Sequence, residues 1–389
     1  MDMLMNSLRF ALALSVPVLL PSPAWSLDPQ PINMLGFQFI PTLSLAETYD
    51  DNFRGLAADE ASSWITRIAP GFQLIAEDRN SAHRLTYAGV HNSYHDADEA
   101  SHTNHLGRLD SIMEFTDRHR LDLEAAYRKA EETTSTAARN ENDKFHTRSL
   151  RGLYAFGAQS ARNRLKFGAS YSELRYDNRG LLNADKERDT TGLSTAWFHR
   201  LGGNTRTQVE VRHTDYDYKL ASSPRNSTNT ALLAGATWEA TAKTTGKVLV
   251  GYERKEFEDD QRDELKSPMW EVGIDWEPRS YSTFTLKARR AFDEGDDGSD
   301  AIQATSASLA WRHQWIERVT TNLSLGLAEY VYEGQNRDDD LVSAGLELIY
   351  SPRRWLDVSL GYRYHDNDSN VPDERYQRNI YRISVAGSL

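Results

Sequence analysis

The sequence contains no cysteine. Thiol nucleophiles and thiolate metal centres are therefore excluded. An exported chain of this kind must hold together without disulfides, which favours a large closed hydrogen-bonded structure over a small stapled domain. Long apolar runs are also missing: beyond Leu20 no stretch approaches the roughly 20 apolar residues that a membrane helix needs, and the mean hydropathy is −0.65 with 26% charged residues. A helical membrane protein is excluded. A β-barrel is not, because a barrel strand needs only every second residue to be apolar. Positive charge is in deficit, and a net charge of −12 leaves no basic surface to neutralise phosphates, so no nucleic-acid partner is expected.

What is present begins with an export signal. Arg9 precedes the apolar run Phe10 to Leu20, Pro21 and Pro23 break it, and Ala24-Trp25-Ser26 supplies small residues where a signal peptidase reads. Residues 1–26 are read as a signal peptide and residues 27–389 as one barrel domain.

The mature region reads as strand after strand. Val319, Thr321, Leu323, Leu325 and Leu327 point one way, while Thr320, Asn322, Ser324, Gly326 and Ala328 point the other. This is period 2 with one greasy and one small or polar face. Leu121, Leu123, Ala125 and Tyr127 alternate in the same way with Asp122, Glu124 and Arg128, and Leu356, Val358, Leu360, Tyr362 and Tyr364 alternate with Asp357, Ser359, Gly361 and Arg363. Segmentation gives about 18 strands, long enough to cross a bilayer at a tilt. The predicted spans are 37–49, 64–76, 83–95, 104–116, 119–132, 144–156, 162–176, 188–200, 204–218, 227–239, 244–258, 267–278, 281–293, 301–314, 318–332, 340–351, 354–366 and 376–389. The fold class is all-β, a transmembrane antiparallel up-and-down barrel.

Connections alternate between short (Asp117-Arg118, Leu201-Gly202-Gly203, Arg279-Ser280, Pro352-Arg353) and long (Glu132 to Asp143, Asp177 to Glu187, Lys219 to Asn226, Glu294 to Asp300, Asn367 to Arg375). Barrels of outer membranes have short periplasmic turns and longer extracellular loops. An even strand count then puts both termini in the periplasm of a Gram-negative cell. Aromatic residues fall in two bands, most of them on the greasy face. Phe156, Trp197, Trp238, Trp276, Tyr281, Trp311 and Tyr350 lie toward the short turns. Tyr127, Tyr171, Tyr252, Trp270, Phe292, Tyr330, Tyr362 and Tyr381 lie toward the long loops. Amphipathic rings favour the headgroup level, so two such girdles are expected of a barrel in lipid. Tyr381, Ile383, Val385, Gly387 and Leu389 alternate to the last residue, and pairing with the first strand would leave no edge.

The first strand, Phe39 to Asn52, carries P-x-L-x-L-x-E-x-Y-x-D-N. With Ile68-Ala69-Pro70-Gly71-Phe72, Leu85-Thr86-Tyr87 and Arg118-His119-Arg120-Leu121, it resembles the putative β-barrel porin type 2 family. The resemblance implies an outer-membrane barrel, and by association a role in exopolysaccharide or capsule export. The C-terminus is similar to the recognition signal of the barrel-assembly machinery, with Leu389 where Phe is usual.

Function would then lie in the lumen and loops. By parity the lumen-lining residues are Arg108, Asp110, Glu114, Asp122, Glu124, Arg128, Glu210, Arg212, Glu253, Lys255, Glu271, Asp275, Lys287, Arg289, Glu347, Asp357, Arg363 and Arg382. Both signs occur, so wall ion pairs are the plainer expectation and a selectivity or sugar-binding surface the sharper one. Inward aromatics such as Trp355 are expected to be few. Asp293 to Asp300 and Asp338-Asp339-Asp340 are acidic stretches read as solvated loops; clustered carboxylates can hold Ca²⁺, but no defined calcium loop is matched. No metal or cofactor is expected. Histidines and serines abound, yet no G-x-S-x-G or H-E-x-x-H spacing occurs, and an enzyme is not expected. The leading expectation is a conduit for a secreted polysaccharide. The alternatives are a general diffusion porin and a non-conducting surface-interaction barrel. Expected partners are outer-membrane lipid and lipopolysaccharide, the barrel-assembly machinery, and a periplasmic polysaccharide-export component.

Overall fold

The computed structural model describes residues 30–34, 36–133, 142–178, 183–241, 243–295 and 299–388. The predicted signal peptide and Leu389 lie outside them. In chain order the strands are β1 (Ile32–Met34), β2 (Phe37–Asp50), β3 (Ser63–Glu77), β4 (Ser81–Tyr94), β5 (His102–Thr116), β6 (His119–Glu132), β7 (Asp143–Phe156), β8 (Asn163–Tyr176), β9 (Arg188–Gly202), β10 (Thr205–Tyr218), β11 (Ser227–Thr241), β12 (Thr244–Phe257), β13 (Leu265–Arg279), β14 (Ser282–Asp293), β15 (Ala301–Ile316), β16 (Val319–Glu333), β17 (Arg337–Arg353), β18 (Leu356–Ser369) and β19 (Tyr376–Ser388). Single 3-10 turns occur at Asp98–Ala100 and Pro372–Glu374.

From β2 to β19 each strand pairs antiparallel with the next, and β19 returns to β2 with Ile380 opposite Asp50 and Ser388 opposite Thr42. The result is a closed barrel of 18 strands without an edge. The extra strand, β1, pairs only with the start of β2. β-branched and aromatic side chains on a period-2 pattern fit a pleated wall, and closure satisfies the backbone groups that an open sheet would leave unpaired. Pro70 has no N–H, and the β3–β4 ladder is interrupted at Ala69 and Pro70, between the pairs Ile68–His91 and Gly71–Ala88.

The two ends differ. One carries tight connections such as Asp117-Arg118, Gly203-Asn204, Glu317-Arg318 and Arg354-Trp355; the other carries longer ones such as 51–62, 219–226 and 258–264. The alternation expected from sequence breaks at two places, the first being 157–162 at the tight end, which is as long as 370–375 at the other. At the second, β16 and β17 are joined at the long-loop end by Gly334, Gln335 and Asn336 alone, with Gly334 at φ +80°. Glycine adopts that left-handed conformation without the penalty a Cβ imposes. Asp338-Asp339-Asp340 therefore belong to β17 and not to a loop: Asp338 and Asp340 are exposed, and Asp339 is buried. Trp355 likewise lies in the tight turn before β18 rather than on the lumen wall.

Candidate functional site: the barrel lumen

The two faces of the wall separate cleanly. Leu43, Leu45, Leu150, Leu193, Leu232, Val250, Leu325, Leu327, Leu346, Leu360 and Ile383 are exposed large apolar side chains. Cross-strand register puts them on one common face: Leu232 beside Tyr252, Leu327 beside Val342, Leu360 beside Ile383. Curvature identifies the other face as the inside. Arg212 on β10 donates to Glu271 on β13 at 2.5 Å although β11 and β12 lie between them. Only the concave side of a wall can bring such residues together.

The charged positions expected to line the lumen lie on the face of their strands opposite the exposed apolar one, the face on which Arg212 meets Glu271. One group forms local ion pairs. Arg108 bridges Asp110 (2.7 Å) and Glu124 (3.0 Å). Arg120 reaches Asp122 (2.7 Å) and Glu114 (3.6 Å). Arg128 meets Glu132 at 3.0 Å, and Arg289 meets Asp293 at 2.5 Å. A second group spans strands. Arg212 holds Glu210 at 2.8 Å as well as Glu271, and Lys247 joins Glu271 at 2.7 Å. A third group is hydrogen-bonded to neutral partners: Asp275 to Thr285 (2.6 Å), Glu347 to Asn322 (3.1 Å), Asp357 to Ser351 (2.6 Å), and Glu253 to Asn229 (3.1 Å) and the Phe292 backbone N–H (2.8 Å). Lys287 is exposed. Arg363 and Arg382 have no ion pair among the described residues.

Between β10 and β14 the inner wall carries an apolar packing. Ala231, Leu233, Leu249, Met269 and Ala291 point inward from β11, β12, β13 and β14 and form one buried apolar cluster, with Leu233 0% and Leu249 1% exposed. Gly235 and Gly251 lie beside it where the backbones of β11 and β12 come close, so that a Cβ would fall on the carbonyl oxygens of Val248 and Leu232. Above the cluster the chain after β14 turns inward. Glu294 takes the ammonium of Lys255 and the hydroxyl of Tyr218 (2.5 Å), and Arg225 donates to the Gly295 carbonyl at 2.9 Å. Glu294 and Gly295 are thus held against inward side chains at the long-loop end, which loop length alone gave no reason to expect. Asp296 and Asp297 lie outside the described residues. Among the described residues no group of three or more His, Asp or Glu converges as metal ligands.

Between β15 and β19 the inner wall is low. Ser306 and Ser308, Ser324 and Gly326, Ser343 and Gly345, Ser359 and Gly361, and Ser384 and Ala386 carry the inward positions.

The sequence reading missed an inward aromatic collar at the long-loop end. Tyr94, Phe145, Tyr176, Tyr216, Tyr218, Phe257, Tyr330, Tyr332 and Tyr376 have inward parity. Tyr330 thus leaves the outer girdle in which it was expected. Cations cover many of these rings: Arg128 over Phe145, Arg225 over Tyr218 at 4.3 Å, Lys255 over Tyr216 at 4.3 Å, and Arg337 over Tyr332 at 4.2 Å. The signal was present in the parity of strand-end tyrosines. Beyond the strands, hydrogen bonds to Asp189 and Asp217 raise the Lys219 ammonium above the ordinary lysine range.

The outer aromatics take the expected face. Trp197, Trp276, Tyr281 and Tyr350 are exposed at the short-turn end, where Trp276, Phe284 and Trp311 stack in a row and Trp238 shares their parity. Tyr127, Tyr171, Tyr252, Tyr362 and Tyr381 are exposed nearer the long loops, with Trp270 half-buried between strands. Phe156 is exposed, and Phe292 is buried where β14 bends inward.

Comparison with known proteins places this architecture. The family described as putative beta-barrel porin 2 matches residues 27–388. Among solved structures, OccK2 (OpdF) of Pseudomonas aeruginosa superposes with a TM-score of 0.51 at 11% identity, covering 90% of this chain and 98% of that one. The FrpB iron transporter of Neisseria meningitidis (F5-1 variant, apoprotein) gives 0.50 at 10% identity, covering 90% and 81%. Its F3-3 variant gives 0.47 at 12% identity, and this chain spans only 62% of that chain's length. The first two likenesses show the fold. No curated protein sequence matches the chain.

Proposed function

This chain belongs to the putative beta-barrel porin 2 family and is an outer-membrane β-barrel of porin-like channel architecture; on that premise we propose that it is a conduit through which a secreted polysaccharide leaves the cell. The observation that supports this reading most is the low inner wall of β15 to β19. Serine, glycine and alanine offer a sliding polymer hydrogen bonds without deep pockets to arrest it, and an 18-strand barrel has room for an aqueous path. In this arrangement the short-turn end and both termini face the periplasm, where an export component would deliver the polymer. The outer aromatics sit at the two headgroup levels, and lipopolysaccharide surrounds the long-loop end.

One observation favours a second reading. Glu294 and Gly295 are held against inward side chains at the long-loop end, as a constriction loop is, which suits a general diffusion porin for small solutes. Planar-bilayer recordings of the purified barrel with dextrans of graded size, together with deletion of the gene and assay of surface polysaccharide, separate the two. Export predicts entry of chain-like polymers and a loss of surface polysaccharide on deletion. Exclusion of all but small solutes, with surface polysaccharide intact, favours the porin. A barrel that never conducts would leave only the surface-interaction role.

A further inference from the structure

A chain of net charge −12 would be expected to line its pore with carboxylates, yet the inner wall carries two patches of cations that form no ion pair among the described residues. Many inward carboxylates are paired with cations: Asp50 with Arg378 (2.9 Å), Asp339 with Arg337 (2.6 Å), and Asp110, Glu124, Glu210 and Glu271 in the pairs already described, while Glu253, Asp275, Glu347 and Asp357 keep their charge beside neutral partners. Several inward cations are not paired. Among the described residues, no ion pair or side-chain hydrogen bond joins Arg67, Arg363, Arg382, Arg164 or Lys166, and the Nε atoms of Arg164 and Arg382 are buried without a partner.

These cations form two patches. On the first, Arg382 of β19 lies opposite Gly361 of β18, so Arg363 is its diagonal neighbour on the same face. Across β2, Arg382 is opposite Thr48 and Arg67 of β3 is opposite Ala46, two residues along. Glu347, held by the neutral amide of Asn322, is the carboxylate in range of Arg363 and Arg382, and its single negative charge faces two guanidiniums. The second patch lies at the short-turn end. Arg200 and Arg206 stand directly opposite each other on β9 and β10, tied to the backbone carbonyls of Gln159 and Ala161, with Arg164 and Lys166 on β8 beside them. Asp122 and Glu239 are the carboxylates in range, and Asp122 is held by Arg120. Like charges directly opposite on neighbouring strands destabilise a sheet. A wall selected for stability alone gains nothing by placing arginines this way.

We infer that the lumen passes anions in preference to cations, and that its carbohydrate cargo bears acidic groups such as carboxylates. The first patch borders the low wall of β17 to β19, and the second guards the end where cargo would enter. Rings of cationic side chains set anion selectivity in pores, and a positive wall raises the local concentration of anionic cargo. The inference rests on the channel reading above.

The test uses the full barrel in planar bilayers under a KCl gradient. The expected reversal potential gives a chloride-to-potassium permeability ratio above one. The ratio should fall at least about threefold in R67Q/R363Q/R382Q and recover in the matching triple lysine variant. Heat-modifiable gel mobility reports whether each variant has folded. A conducting barrel with a ratio at or below one overturns the inference alone, as does a ratio indifferent to the triple substitution. A silent barrel overturns the channel reading and takes the inference with it. For the cargo class, oligogalacturonate added on the short-turn side should interrupt the current, and less so in the triple glutamine variant, whereas neutral dextran of matched size should act equally on both. Block by dextran alone would overturn the acidic cargo.

Discussion

Two sectors of one wall, built on the same alternation, have opposite interiors. Between β10 and β14 the inward side chains are long or apolar. They meet across strands through Arg212, Glu271 and Lys247, and they bury Leu233 and Leu249 beneath an inward-turned loop. Between β15 and β19 the middle of the inner wall is serine, glycine and alanine, and Arg363 and Arg382 beside it form no ion pair among the described residues. Period 2 decides only which side chains face inward. Whether the inner wall packs together or is left to water is decided by their size and by how closely neighbouring backbones approach. The barrel can therefore carry stability in one sector and passage in the other.

The contrast can be broken most severely where β11 and β12 come close. Gly235→Ala should prevent correct closure, because the new methyl meets the Val248 backbone, and the fraction of barrel showing heat-modifiable mobility should drop sharply. Leu249→Ala should cost about 2–4 kcal/mol in urea unfolding from detergent, as a side chain 1% exposed leaves a cavity that its neighbours cannot fill. Glu271→Gln should cost about 2–3 kcal/mol, since one carboxylate serves both Arg212 and Lys247 and its loss strands two partly buried cations. On the low wall the same kind of change should do little. The methyl added by Gly345→Ala lies 2.6 Å from the Ser324 hydroxyl oxygen, which can rotate away, and the cost should stay below about 0.5 kcal/mol. Equal losses from Gly235→Ala and Gly345→Ala would show that the two sectors do not differ as described.

The strand alternation was legible in the sequence through most of each strand. The reason is that parity along a strand is a local property. Pairing was not legible. Arg212 and Glu271 could each be assigned to the lumen, but their meeting across β11 and β12 depends on curvature, which no single strand encodes. Strand ends were misjudged at the long-loop end. Asp339 reads as part of an acidic loop but sits in β17, held by Arg337 and Tyr332, and Tyr330 reads as girdle but turns inward. The inward turn at Glu294 was hidden because a short loop bends by what it can bind, here Lys255 and Tyr218, and not by its length.

Absence of cysteine makes the decisive measurement clean, because every introduced thiol is the only one in the chain. Single cysteines placed in turn from Leu323 to Ala328 on β16 and from Val342 to Glu347 on β17 would be exposed, in bilayer-embedded barrels, to a membrane-impermeant thiol reagent. Ser324, Gly326, Ala328, Ser343, Gly345 and Glu347 should label, and Leu323, Leu325, Leu327, Val342, Ala344 and Leu346 should not. Uniform labelling along either strand, or silence at the serine and glycine positions, would contradict a water-filled lumen bounded by this wall.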